Sequence, residues 1–238
     1  MFSGMIQLAS SDAHSSGDTQ ENPLGTLAMT PDGYLYRYAL AGGVTLDPGK
    51  LCVPAAIVAN HENMSVASAA AVGATKVTVT LGATAATANQ YKDGKLVMND
   101  AAGEGIAYRI SGHPAAATTA NLVVTLAEPV KVALTTSSQA SLIANPWSAI
   151  LVSVTDQADM AIGVPNVSIT NAEYGWVQTR GVCAGLADET LAIGSALTIG
   201  SSVAGAFEVL DAAGEQNLGV SIQAGVDTEY RAVYLMID

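Results

Sequence analysis

Between Lys76 and Leu134, large apolar residues recur at every second position, and that period admits strands and little else. Val77, Val79 and Leu81 alternate with Lys76, Thr78 and Thr80, and Leu96 and Met98 alternate with Lys95, Val97 and Asn99. Tyr108 and Ile110 flank Arg109, and Leu122, Val124 and Leu126 alternate with Asn121, Val123 and Thr125. Successive side chains of a strand point to opposite faces, so this period marks strands buried on one side. Asp93-Gly94, the run Asn99 to Gly105, and Gly112-His113-Pro114 separate them. Glycine supplies positive φ and Asn or Asp tolerates it, so these are credible tight connections. Four or more strands are expected here.

The same pattern brackets this region. Asp32-Gly33 signals a turn before the aromatic strand Tyr34 to Tyr38, Gly42-Gly43 punctuates, and a loop over Thr45–Leu51 returns into Cys52-Val53. Later runs are Trp176 to Thr179, Leu197 to Ile199, Ala206 to Val209, Leu218 to Ile222 and Tyr230 to Ile237. Val58 to Gly73 is Ala-rich and admits a short helix, although Val66, Val72 and Gly73 weaken it. Residues 1–30 carry turn formers and little periodicity, which reads as an extended arm or a poorly ordered tail. A weak echo relates Arg37–Leu51 to Gln178–Leu197, as if two halves of one barrel were separated by an insertion. The expected fold is all-β: a barrel or sandwich core from 31–63 and 146–238, a β-rich inserted or second subdomain over 64–145, and an N-terminal arm over 1–30.

Composition narrows the function. Only 13% of the 238 residues are charged, against about 25% in globular domains generally, which suits a surface that meets other protein. Nine basic residues face 21 acidic ones, for a formal charge of −12. No basic run offers nucleic acid the Lys and Arg clusters that displace counterions, so no nucleic-acid partner is expected. The first residues lack the basic and apolar regions of a secretory signal, and the longest charge-free window, Val132 to Thr155, is too polar to span a membrane. Cys52 and Cys183 form neither a disulfide framework nor a zinc motif and read as small buried residues.

Residues that carry chemistry are scattered. Gly49-Lys50-Leu51 lacks the upstream glycine and the hydroxyl of a phosphate loop, and Gly103-Glu104-Gly105 lacks the third glycine of a dinucleotide site. His14, His61 and His113 have no metal-ligand spacing. Asn99, Asp100 and Glu104 put three oxygen donors in one loop without the order of a calcium-binding hand. No Gly-x-Ser-x-Gly elbow occurs, and Cys183 with one of the histidines is the one formal nucleophile pair. Trp147 with Tyr174-Gly175-Trp176 could stack on sugars or anchor a core; exposed, neighbouring rings would favour the first and buried rings the second. No catalytic, cofactor-binding or metal residue is assigned, and no cofactor or enzymatic activity is expected.

The run Asn89 to Asp100, continuing through Gly103-Glu104-Gly105 into Tyr108-Arg109-Ile110 and His113-Pro114, resembles a group of tailed-bacteriophage capsid decoration (cement) proteins. Tyr174-Gly175-Trp176-Val177-Gln178 and Gly225 to Tyr230 share the resemblance, which extends from about Tyr34 to the end. It implies a structural virion protein on the capsid exterior, made in the host cytoplasm. Its implied partners are the major capsid protein and copies of itself, a trimer being favoured, with no membrane partner. A carbohydrate-binding module of a tail fibre or surface adhesin is the alternative. The arm lies outside the resemblance; its composition leads to the expectation that it docks on a neighbouring copy or the shell and matters little for folding.

Overall fold

The computed structural model describes residues 5–157 and 159–238. The first part of the chain gives β1 (Ile6–Gln7), β2 (Ser16–Gly17), β3 (Leu27–Met29), β4 (Leu35–Leu40) and β5 (Cys52–Val53). The middle gives β6 (Met64–Ser65), β7 (Lys76–Thr80), β8 (Lys95–Asp100), β9 (Ala107–Gly112), β10 (Asn121–Leu126) and β11 (Gln139–Ile143). The last part gives β12 (Leu151–Val152), β13 (Val164–Pro165), β14 (Tyr174–Leu186), β15 (Ala196–Ile199), β16 (Phe207–Val209), β17 (Gly219–Ser221) and β18 (Tyr230–Met236). The protein is all-β; its helical segments among the described residues are two single 3₁₀ turns, Asp12–His14 and Ala59–His61.

The chain forms two compact units, one from Met1–Ala55 with Pro146–Asp238 and one from Ala56–Asn145. The middle unit therefore begins at Ala56, where the sequence pattern had suggested 64. The Ala-rich stretch from Val58 makes one 3₁₀ turn and then β6 rather than a helix. Its β-branched and glycine residues forgo the short helix in favour of pairing.

In the middle unit the strands are antiparallel in the order β6-β11-β8-β9-β10-β7. Val66, just past β6, pairs with Val79 of β7, and the Ala67 N–H donates to the Thr78 carbonyl at 2.8 Å. The two ends of the sheet thus meet, and a closed barrel has no open edge to recruit foreign strands. The alternating residues read from the sequence are those that point inward: Val77, Val79, Leu96, Met98, Tyr108, Ile110, Leu122 and Val124 are all essentially inaccessible. Register shifts at Gln139/Ala140 and Thr125/Leu126 mark bulges, which sharpen the twist a small barrel needs.

In the other unit the sheet runs β1-β3-β4-β14-β18-β17-β15-β16, with β2 and β13 also paired to β14. The 13-residue β14 is the spine: its first half pairs with β4 and its second with β18. Ala187, just beyond β14, pairs with Phe207 of β16, and the Asp188 N–H donates to the Phe207 carbonyl at 2.8 Å. The last strand thus returns to the spine and almost closes a second barrel around Leu197, Ile199, Phe207, Leu218, Val233 and Leu235. β5 and β12 form a separate two-stranded ribbon.

The arm expectation is corrected by this sheet. β3 pairs antiparallel with β4, β1 lies parallel to β3, and the Leu8 N–H donates to the Met29 carbonyl. Leu8, Ala13 and Ala28 are buried in one cluster with Tyr36, Tyr38 and Trp176. Small residues at 13 and 28 let the backbone approach the aromatic rings closely, so sparse apolar anchors suffice where the partner surface is aromatic and flat.

Candidate functional site

The histidines of the middle unit are architectural. His61 is fully buried; its Nε2 lies 2.9 Å from the Thr84 carbonyl, which can only accept, so Nε2 carries the proton. Nδ1 is then the acceptor for the Tyr91 hydroxyl. His113 shows the opposite tautomer: Nε2 accepts the Tyr91 N–H at 3.0 Å and Nδ1 donates to the Pro114 carbonyl at 2.8 Å. These assignments follow from the hydrogen-bond network. Burial pushes the Tyr91 hydroxyl up to about 12, so it stays a donor. The sequence read these histidines as scattered; Tyr91 brings them together.

The other flagged residues are likewise placed. Asn99 Oδ1 accepts from Ser141 Oγ at 2.8 Å and Asp100 Oδ1 from the Ala101 N–H at 2.7 Å. No group of three or more His, Cys, Asp or Glu among the described residues is arranged to hold a metal ion. Cys52 and Cys183 are free and buried. Burial pushes the Cys183 thiol up to about 12 and Cys52 still higher, the reverse of what activates a nucleophile. Trp176 is buried, with Tyr38 edge-on at 5.0 Å between centroids, and Tyr38 stacks on Tyr174 at 6.0 Å. Trp147 is half-buried against Gly25, and the Arg37 guanidinium lies 5.9 Å from its ring centre. The aromatic residues therefore anchor packing rather than form an exposed pair.

A concavity that the sequence did not foresee lies in the first unit. A cleft of about 510 Å³ is lined by His14, Asn166, Cys183 and Tyr230 with Pro48, Gly49 and Ala184. It adjoins a recess of about 200 Å³ that shares His14 and Asn166 and reaches Asp32, Tyr36 and Gln178. The recess sits at the bulge of β14, where register shifts between Gln178 and Arg180. Gln178, although buried, is fully engaged: Nε2 donates to the Arg180 and Val182 carbonyls at 3.1 and 3.0 Å. Its Oε1 accepts from Asn166 Nδ2 at 2.9 Å and from the Tyr36 hydroxyl at 3.3 Å. Asn166 Nδ2 also donates to the Tyr36 hydroxyl at 3.1 Å. Burial, reinforced by Asp32, pushes Tyr36 up to about 12. His14 and Cys183 meet in this cleft, but no hydrogen bond joins them; His14 Nδ1 donates to the Ser10 carbonyl at 2.8 Å.

Two carboxylates elsewhere in this unit are perturbed. Burial, then the neighbouring Glu208, raises the Asp188 carboxyl above its ordinary value, although the Ser202 N–H donates to Oδ2 at 2.7 Å. Asp188 Oδ1 has no hydrogen-bond partner. For Asp238 burial acts upward, but hydrogen bonds from Arg37 and Thr179 and the charge of Arg37 outweigh it and hold the carboxyl low. The Arg37 fork grips Asp238 at 2.8 and 3.1 Å, joining the last residue to β4.

No family model, curated protein or solved structure matches the chain.

Proposed function

We propose that this chain is a structural protein of a tailed-phage virion that binds the outside of the capsid and stabilises the major capsid protein lattice, acting as a homo-oligomer, with a trimer favoured. The observation that carries the reading is where the runs resembling decoration proteins fall. Tyr91, Leu96, Met98, Tyr108, Ile110 and His113 are buried in the middle barrel, and Gly103 and Gly105 have positive φ in its β8–β9 turn. The Gly225–Tyr230 run folds back on the segment that follows β14, the Gly225 N–H donating to the Leu191 carbonyl and the Thr228 N–H to the Ala187 carbonyl. These residues build the interiors and turns of the two units, and a lattice-binding protein works through contact area multiplied by symmetry. The burial of Trp176 supports this over an adhesin whose platform would be the two tryptophans.

The test is particle composition. Purified virions should contain the chain at hundreds of copies, in fixed ratio to the major capsid protein, and purified chain should co-sediment with capsids stripped of it. A copy number of a few per particle would refute the reading and point to a tail component.

A further inference from the structure

We propose that the cleft of the first unit is a binding site for a neutral saccharide of one or two rings. This does not rest on the capsid reading: it comes from the chemistry of the cleft, which no sequence run suggested. The volume of about 510 Å³, with the adjoining recess of about 200 Å³, falls where small-molecule sites fall, at roughly 300–1,000 Å³.

The walls come first. Tyr230, at the start of β18, is 46% exposed, yet its ring is held in place. A Cβ built on Gly49 would lie 2.7 Å from Tyr230 Cε1, and Gly49 has φ +76, so glycine is what lets the ring seat there. Tyr34 seats in the same way on Gly181, where a Cβ would come within 2.2 Å of the ring and φ is +101. The cleft and its recess thus each have a tyrosine ring fixed against glycine backbone. The face of such a ring carries negative charge density and attracts the weakly positive C–H face of a pyranose.

The floor then selects what fills the space. Both N–H groups of Asn166 are committed to Tyr36 and Gln178, so the amide has only Oδ1 left to offer. His14 has committed Nδ1 to Ser10, which leaves Nε2. Asp32 adds a carboxylate in the recess. These groups ask for donors, and a sugar supplies hydroxyl donors on a rigid apolar frame. Among the described lining residues there is no Lys or Arg. Lys50 lies within electrostatic reach of Tyr230, but its ammonium is already paired with Asp47 at 2.8 Å, so a phosphate or carboxylate ligand would compete with that carboxylate for this cation. A compact ammonium ion would engage Asp32 and leave most of the cleft unfilled.

The experiment uses the full chain and saturation-transfer NMR backed by calorimetry. The neutral probes are glucose, galactose, N-acetylglucosamine, maltose and lactose, and the contrasting probes are choline and inorganic phosphate. At least one neutral sugar should bind saturably with a millimolar Kd. Tyr230→Ala should weaken binding roughly tenfold, while Tyr230→Phe, which keeps the ring, should largely preserve it. His14→Ala should weaken binding by a smaller factor. Positions 14 and 230 are exposed, so unchanged thermal midpoints will show that the variants remain folded. The proposal is overturned if no neutral sugar binds up to about 50 mM, if only choline or phosphate binds, or if Tyr230→Ala binds as the parent does.

Discussion

Removing residues 1–29 should unfold the first unit rather than merely loosen attachment to a partner. Leu8 is 6% exposed, and burying a leucine contributes about 1.5–3 kcal/mol. Tyr36, Tyr38 and Trp176 are 3–5% exposed in the same cluster. If truncation bares on the order of 100 Å² of each ring, the loss is about 2.5 kcal/mol apiece at ~25 cal/mol per Å². Backbone pairing of β3 with β4 is lost as well. The gross loss is near 10 kcal/mol, and although part of it is offset because the deleted residues no longer have to be ordered, what remains is a large fraction of a domain's net stability, about 5–15 kcal/mol. The gentler variant Leu8→Ala should cost about 2–4 kcal/mol and lower Tm by roughly 4–16 °C at this chain length. Both are read by urea and thermal denaturation followed by near-UV circular dichroism, where the buried tyrosines and Trp176 report. A truncated protein that melts at the parent midpoint would refute the reasoning and restore the segment to a tail.

Four further outcomes are expected. Asp188→Asn should raise Tm at neutral pH: a carboxyl raised in the folded state binds its proton more tightly there than when unfolded, so stability falls as pH rises through that window, and the gain should shrink as pH is lowered through it; an unchanged difference at every pH would count against this. Asp238 works in the opposite sense, its contribution being present above the unfolded carboxylate value and lost as pH falls through the depressed one; Asp238→Asn should cost up to about 1 kcal/mol at neutral pH, because water screens this exposed pair, and nothing in strong acid. Cys52 and Cys183 should resist iodoacetamide in the native protein and react promptly in denaturant, as counted by mass spectrometry. The segment 56–145, produced alone, should give a cooperative unfolding transition because its sheet closes on itself around its own core; a molten, dye-binding product would contradict that.

The fold was legible where burial is one-sided. β7 to β10 show period two because each has one face in the barrel interior, and the corresponding residues are the buried ones. β11 was missed because Gln139-Ala140-Ser141-Leu142-Ile143 has no alternation: Ala140, Ser141 and Leu142 are buried in succession. Ser141 is tolerated there because it donates to Asn99 and accepts the Asn63 N–H at 3.0 Å. β5, β12 and β13 are too short for any period to register. The segment before Tyr34 looked unfoldable because its own apolar residues are few; the surface that buries them belongs to β4 and β14. The cleft was illegible for the same reason, since His14, Gly49, Asn166 and Tyr230 come from four segments distant in the chain.

The two units also divide the ways in which this chain can meet other molecules. In the middle barrel the histidines are committed inward: His61 and His113 are each bonded to Tyr91 and to nearby backbone, while Asn99, at the exposed end of β8, is tied to Ser141. With the sheet ends joined, what that unit presents is outer surface, set by the shape of the barrel. The first unit gathers acceptors that its own hydrogen bonds leave unspent at the bulge of β14, and its sheet has an end at β1, which pairs with β3. A lattice contact needs area and little chemistry, whereas a ligand site needs a concavity with unspent polar groups. On the proposed reading, attachment to a capsid would draw on outer surface, while the proposed saccharide recognition would use the cleft beside the spine.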